Sequence, residues 1–183
     1  MFTLYNQAPV LTQLNSERTL LKSSSIDTKL GPMIAIANDN ELVLLEFVDR
    51  RDLERELQKL KKRTVIMPGI TNPIISIKKE LTAYFDGKLQ KFKTPVSLNG
   101  TNFQKKVWTA LKDIPYGTTR SYSDLSQILN IRTATRAVAS GIGTNQLAII
   151  IPCHRVINKN GRLGGYSGGL RRKKWLLNFE KKA

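Results

Sequence analysis

The chain has 183 residues, 40% hydrophobic and 24% charged, a composition that suits one large or two small globular domains and excludes a disordered or fibrous chain. Its longest apolar runs, LAIII (147–151) and LVLL (42–45), are far too short to cross a bilayer, and residues 1–15 lack the basic-then-apolar succession of a secretory leader. The formal net charge of +16 is concentrated in residues 91–183, where 17 Lys and Arg face only Asp113, Asp124 and Glu180, and this points to a polyanionic partner, nucleic acid above all.

In chain order, GPMIAIA and ELVLLEFVD around Asn38-Asp39-Asn40 predict a β-hairpin over 31–49. RDLERELQKLKKR (51–63) predicts a helix with Leu53, Leu57 and Leu60 at helical spacing, and TVIM (64–67) a short strand. A second helix is expected within 72–89, from about Pro73, with Ile74, Ile77, Leu81 and Phe85 on one face and Gly87 at its stop. The first half is therefore a small α/β unit, and nothing in it suggests catalysis. KFKTPVSLNG (91–100) reads as a connecting stretch, giving an N-terminal domain 1–90, a linker 91–97 and a C-terminal domain 98–183.

After the linker, Thr101-Asn102-Phe103-Gln104 has capping-box spacing, and Phe103, Val107, Leu111 and Ile114 form an apolar stripe that ends at Pro115-Tyr116-Gly117. Ser121-Tyr122-Ser123-Asp124 opens another helix running through Leu129. A break at Asn130-Ile131-Arg132 precedes Thr133–Ser140, which ends at Gly141. Two short helices about a tight turn in a basic domain suggest helix-turn-helix. The second of these helices offers small residues and one long cation, Arg136. It suits close approach to a narrow groove with one protruding side chain, and the alternative is an alanine-rich core helix with an exposed arginine.

The only cysteine and the only histidine are neighbours, in IIIPCHRVI (149–157). A lone cysteine forms no internal disulfide, which fits a reducing cytoplasm, and one Cys with one His falls short of a structural zinc site. Ile149–Ile151 reads as a buried strand that Pro152 ends, presenting Cys153 at a strand end. The plain alternative is an inert buried thiol. His154 and Arg155 argue for an electropositive setting that favours thiolate. Adjacent side chains on an extended segment face opposite ways, so a water is expected to carry the proton from Cys153 to His154, with Glu180 orienting the imidazole. GRLGGYSGGL (161–170) matches neither a Walker loop nor a dinucleotide fingerprint. It is either a flexible loop or a place where backbone approaches a planar ligand under Tyr166.

FQKKVW (103–108), IPYGTTRSY (114–122), TRAVA (135–139), Asn145 with IIIPCHRVI, and GGYSGGLRRKKWLLNFE (164–180) together resemble the O6-alkylguanine-DNA alkyltransferases. The resemblance covers 98–183, and GPMIAIA and YFDGKLQKFKTPV (84–96) extend it more loosely into the first half. It implies an α/β, ribonuclease-H-like N-terminal domain and a mainly α, winged-helix-like C-terminal domain with a helix-turn-helix. It implies DNA repair by irreversible, stoichiometric transfer of an alkyl group from O6-alkylguanine in duplex DNA to Cys153, O4-alkylthymine being a second candidate substrate. In that pattern the helix-turn-helix docks in the minor groove and Arg136 fills the space left by the flipped nucleotide. Thr135, Ala137, Tyr122 and Ser123 face the DNA. Tyr122 also donates to the departing guanine, His154 is the base through water, Glu180 completes the relay, and Asn145 links the recognition helix to the active-site turn. Tyr166 covers the alkyl group, the Ser167 N–H contacts guanine O6, and the carbonyls of Cys153 and Val156 accept from the exocyclic amine. No metal or other cofactor is implied, and the expected protein is a cytoplasmic monomer with no membrane partner. The rival is an alkyltransferase-like or winged-helix DNA-binding protein without transfer activity, against which Cys153 itself argues. Two departures stand out: Ala139 occupies a usual glycine, and Gln146 follows Asn145 where proline is usual, which loosens the expected turn.

Overall fold

The structure, a computed structural model, describes residues 19–131 and 134–182. The expectations for residues 1–15 and for a helix start at Thr133 lie outside these. The N-terminal unit is a four-stranded sheet in the order β3-β2-β1-β4. Strands β1 (Thr19–Ile26), β2 (Met33–Ala37) and β3 (Leu42–Phe47) form an antiparallel meander, and β4 (Thr64–Pro68) pairs parallel to β1, with Leu21 opposite Ile66. The predicted hairpin is β2–β3. Its turn is closed by Asn38, whose Oδ1 accepts the N–H groups of Asn40 and Glu41 at 2.9 and 2.7 Å. Helix α1 (Leu53–Lys61) makes the crossover from β3 to β4, and α2 (Asn72–Phe85) follows with Pro73 in its first turn. Strand β1 is absent from the sequence reading. Its segment TLLKSSSI carries a serine run that conceals the alternation, and its pairing with β2 and β4 makes it a strand.

All six residues of β3 are buried, faces and outer edge alike. One face joins a core that runs from Met33, Ala35, Leu45 and Phe47 through Ile77 and Leu81 of α2 to residues of the second half, including Leu111, Ile151 and Leu176. The opposite face, with Leu21, Ile36 and Leu44, lies under Leu53 and Leu57 of α1. The exposed edge that β3 would otherwise present is covered twice by the rest of the chain. Leu42 donates to Pro95 O and accepts from Ser97, both at 2.9 Å, so the 91–97 stretch lies along the sheet. Leu45 donates to Gln146 O at 2.9 Å and accepts from Ala148 at 2.8 Å, which ties the sheet to the segment leading to Cys153.

The C-terminal unit comprises α3 (Asn102–Lys112), β5 (Arg120–Ser121), α4 (Tyr122–Ile128), α5 (Thr135–Gly143), β6 (Val156–Ile157) and α6 (Leu170–Lys182). Both expected capping boxes form, Thr101 with Gln104 on α3 and Ser121 with Asp124 on α4. Each satisfies otherwise orphaned helix N–H groups and contributes about 1 kcal/mol. Helices α4 and α5 are the expected helix-turn-helix, and Asn130 breaks the first of them with φ of 57°. Gly141, buried in α5, accepts from the Trp108 indole at 2.9 Å, so the small-residue face of α5 packs closely on α3. Among the described residues no helix is long and apolar enough to cross a membrane.

One local expectation fails. Ile149–Ile151 is buried but is not a strand. Residues 148–150 form turns, with Ile149 at φ 72° and Ile151 donating to Leu147 O at 3.0 Å. A β-branched residue there costs about 1–3 kcal/mol, which the surrounding bonds hold in place. Asn145 Oδ1 accepts from Leu147 and its Nδ2 donates to Ile151 O at 2.9 Å, curling the apolar run back on itself.

Candidate active site

Pro152 leads directly into a single 3-10 turn, Cys153–Arg155, all of it buried. This turn replaces the extended segment expected from sequence and sends the three side chains into different surroundings. The Cys153 sulfur accepts from Asn145 Nδ2 at 3.2 Å. His154 is completely enclosed, and its Nε2 lies 2.8 Å from Glu180 Oε1 on α6. Its Nδ1 is buried with no partner among the described residues. Arg155 turns toward the same carboxylate, with Nε 2.8 Å from Oε2 and Nη2 3.0 Å from Oε1, and donates from Nη1 to Ile114 O at 2.6 Å.

The carboxylate is therefore a hub. Glu180 also accepts from the Tyr84 hydroxyl at 2.7 Å and from the Gly117 N–H at 3.3 Å. Burial alone would raise its pKa, but the hydrogen bonds from His154 and Arg155 outweigh burial and hold it down at about 2. An ionised carboxylate can only accept, so the proton of a neutral imidazole sits on Nε2 and Nδ1 is left as an acceptor. Burial pushes His154 below the ordinary imidazole range despite Glu180, which keeps the ring neutral at rest. A buried, neutral base with its free lone pair on Nδ1 can take a proton through one water.

The electropositive setting expected for Cys153 does not arise in the predicted way. The Arg155 guanidinium is committed to Glu180, and burial pushes the thiol up to about 11, only partly offset by Asn145. The resting group is thus a protected thiol that needs a base, not a standing thiolate.

Other expected site residues fall around this turn. Tyr122, half-buried in the first turn of α4, lies with its hydroxyl against the position of Gly164. Tyr166 places its ring edge-on to His154 at 6.4 Å between centroids, with its hydroxyl buried and unpartnered among the described residues. Ser167 Oγ donates to Gly143 O at 3.1 Å, joining the glycine-rich loop to the end of α5. The Val156 carbonyl accepts from Lys173 Nζ at 2.5 Å, which leaves one lone pair for a ligand. On α5, Arg136 and Ala137 are exposed, whereas the Thr135 hydroxyl accepts from Ser126 at 3.2 Å. The Ser123 hydroxyl pairs with that of Ser121 at 2.7 Å.

Gly168 explains the loop's glycine content at one position. A Cβ there would lie 2.7 Å from the Tyr166 ring and 3.0 Å from Phe47. Gly168→Ala should therefore displace Tyr166 and destabilise the protein by about 1–3 kcal/mol, measured by denaturant unfolding.

Several participants are invisible to the sequence reading. Lys173 is fully buried, bonds Val156 O and Gly165 O, and burial lowers its pKa to about 8. Its place on the stripe Lys173, Leu176, Leu177, Glu180 was the available signal, since all four are buried on one face of α6. Tyr84, from the N-terminal unit in which nothing suggested catalysis, reaches Glu180. Gln146 also behaves differently from expectation. It donates to Glu56 on α1 at 3.0 Å, and with Asn145 and the β3 edge it secures the turn.

Residues 21–98 match the family model described as 6-O-methylguanine DNA methyltransferase, ribonuclease-like domain, and residues 102–182 match the corresponding DNA binding domain. A methylated-DNA–protein-cysteine methyltransferase of Mycobacterium tuberculosis is 40% identical over 157 residues, covering 86% of this chain and 90% of that protein. The inducible enzyme of that name from Bacillus subtilis is 52% identical over 104 residues, covering 57% and 58%. In structure, the M. tuberculosis OGT in complex with DNA superposes with a TM-score of 0.76 at 36% identity, covering 90% of this chain and 94% of that one. The O6-methylguanine-DNA methyltransferase of Pyrococcus kodakaraensis superposes with a TM-score of 0.64 at 27% identity, covering 87% and 98%. Matched along both halves, with the cysteine turn and its carboxylate hub assembled, the chain belongs to the 6-O-methylguanine DNA methyltransferase family.

Proposed function

We propose that this protein repairs duplex DNA by taking the alkyl group of O6-alkylguanine onto Cys153, once per molecule. The observation that carries the reading is the polarity of the relay: an ionised Glu180 fixes the His154 proton on Nε2 and leaves Nδ1 open on the residue next to the thiol. The thiol proton passes through a water to Nδ1, and sulfur attacks the sp³ carbon on guanine O6. The S–C bond forms as the C–O bond breaks, and the electron pair leaves with guanine, which Tyr122 stabilises as an anion by a hydrogen bond or neutralises by giving up its proton. The product thioether has no hydrolytic route back to the thiol, so the protein is spent. Residues Tyr166, the Ser167 N–H and the carbonyls of Cys153 and Val156 would hold the base, and no metal or organic cofactor enters these steps.

The base reaches Cys153 only after leaving the stack. In this reading Arg136, exposed on α5, occupies the vacated space, with Ala137, Thr135, Tyr122 and Ser123 along the DNA-facing surface. Arg136→Ala should reduce transfer from duplex DNA by about 10- to 100-fold, because unstacking costs a few kcal/mol. Transfer from the same lesion in single-stranded DNA should fall much less, and equal losses on both substrates would count against the finger role.

The division into 1–90, 91–97 and 98–183, a monomeric state and a cytoplasmic location belong to the same reading. The family-model matches over 21–98 and 102–182 support a two-part division, with 91–97 inside the first match, and the lone cysteine supports the location. The test is a two-stage exposure. Protein saturated with unlabelled O6-methylguanine duplex should accept no methyl from a second, labelled duplex, whereas continued turnover would reject single use.

A further inference from the structure

Where β3 gives way to α1, the N-terminal unit places a buried ion pair, Glu46 with Arg50, that has no part in the relay. The pair is imperfectly satisfied, since Glu46 Oε2 and Arg50 Nε are buried without partners among the described residues. Arg50 reaches across to the other half of the molecule. Its Nη1, which bonds Glu46, also donates to Asn145 O at 3.0 Å, and its Nη2 donates to Gly143 O at 3.3 Å. Gly143 ends α5, and the Asn145 side chain donates to the Cys153 sulfur. One planar guanidinium thus spans the end of the recognition helix and the residue that holds the acceptor, a fork geometry that an ammonium does not reproduce. The neighbouring β3 edge bonds residues 146 and 148 of the same turn. A buried ion pair adds little stability over an apolar pair of similar volume. Fixing two carbonyls at once is what this pair does that an apolar pair would not.

We propose that Arg50, held in place by Glu46, is a positioning residue for alkyl transfer: it keeps the end of α5 and the Asn145 turn in register with Cys153, so that the N-terminal unit sets the reactivity of the acceptor. The proposal rests on the alkyl-transfer reading above. Among the described residues, the charged and titratable groups around Cys153 are Glu46 and Arg50 from the N-terminal unit, Lys173 from α6, Tyr122 from α4, Tyr166, and His154 next in the chain. Burial opposes thiolate most; the Asn145 hydrogen bond favours it, the Glu46 charge opposes it, and the Lys173 and then the Arg50 charge favour it. The two members of the pair should therefore act in opposite directions.

The test measures single-turnover transfer from O6-methylguanine duplex across neutral to mildly alkaline pH, with thermal unfolding and affinity for undamaged duplex recorded for each full-length variant. Arg50→Met should slow transfer by about 10- to 100-fold through misplacement of the turn, with duplex affinity unchanged. It should also move the alkaline rise of the pH–rate profile upward. Arg50→Lys should recover part of the rate. Burial pushes the Glu46 carboxyl up to about 8, so Glu46→Gln should move the rise downward only above that pH, where the carboxylate is charged. Should Arg50→Met fail to fold, Glu46→Gln combined with Arg50→Met leaves no buried carboxyl without its guanidinium, and the rate loss should persist in it. Wild-type rate in the Arg50 variants, or pH profiles unmoved in both single variants, would overturn the proposal. Failure of the wild-type protein to transfer at all would overturn the alkyl-transfer reading instead.

Discussion

Glu180→Gln should lower single-turnover alkyl transfer by about 10²- to 10⁴-fold, the range expected when a positioned general base loses its function. The amide keeps the shape of the carboxyl group but can present an N–H to His154. The imidazole could then carry its proton on Nδ1, removing the acceptor that the relay needs. Arg155, buried and bonded twice to Glu180, would also lose its counter-charge. Breaking such a pair from one side costs about 3–5 kcal/mol, so reduced stability should accompany the loss of rate. Equilibrium unfolding separates the two effects, because transfer measured well below the unfolding transition isolates the chemical defect. Transfer within a few-fold of wild type would show that the ionised hub is not needed.

The same carboxylate gives a pH signature. Its folded pKa of about 2 lies below the ordinary 4.5, so the stability it contributes is fully present above the unfolded value and is lost as pH falls through the folded one. Between those limits the difference corresponds to about 3 kcal/mol for a group this deeply buried. Wild-type protein should lose that increment as pH falls from 4.5 toward 2, and Glu180→Gln should show a flatter profile over the same window.

Cys153→Ser should abolish transfer while preserving the fold and DNA binding. A serine hydroxyl is nearly isosteric with the thiol, and its oxygen can still accept from Asn145 Nδ2, so the turn retains its bond. The alcohol is a far weaker nucleophile and has no strong base in direct contact. Binding rests on the cationic surface of the C-terminal half, where 17 Lys and Arg face three carboxylates. Affinity of the variant for duplex should therefore fall with salt along the same slope as wild type, as counterion release requires. Salt-insensitive binding would contradict electrostatic docking.

The chemistry-bearing residues were legible because they are scarce. A single cysteine, a single histidine and three carboxylates in residues 91–183 leave few ways to build a relay, and His154 does meet Glu180 in the turn that holds Cys153. Both capping boxes and the helix pair α4–α5 were likewise local signals that the structure realises. What sequence hid depends on distant contacts. The IIIP run looks like a strand, and it becomes a turn because Asn145 and the edge of β3 curl it. Arg155 looks like a partner for the thiol, yet it bonds a carboxylate 25 positions away. Tyr84 and Arg50 reach the site from 96 and 95 residues away, beyond anything periodicity conveys. The N-terminal unit therefore looked inert in sequence and is in fact packed against the chemistry.

The most direct measurement of single-use transfer to Cys153 is the intact mass of the protein after incubation with excess O6-methylguanine duplex, followed by peptide mapping. Wild-type protein should gain the mass of one methyl group in place of one hydrogen, saturate at one per chain, and carry it on the peptide containing Cys153. An unchanged mass, or a methyl group on any other residue, would contradict it.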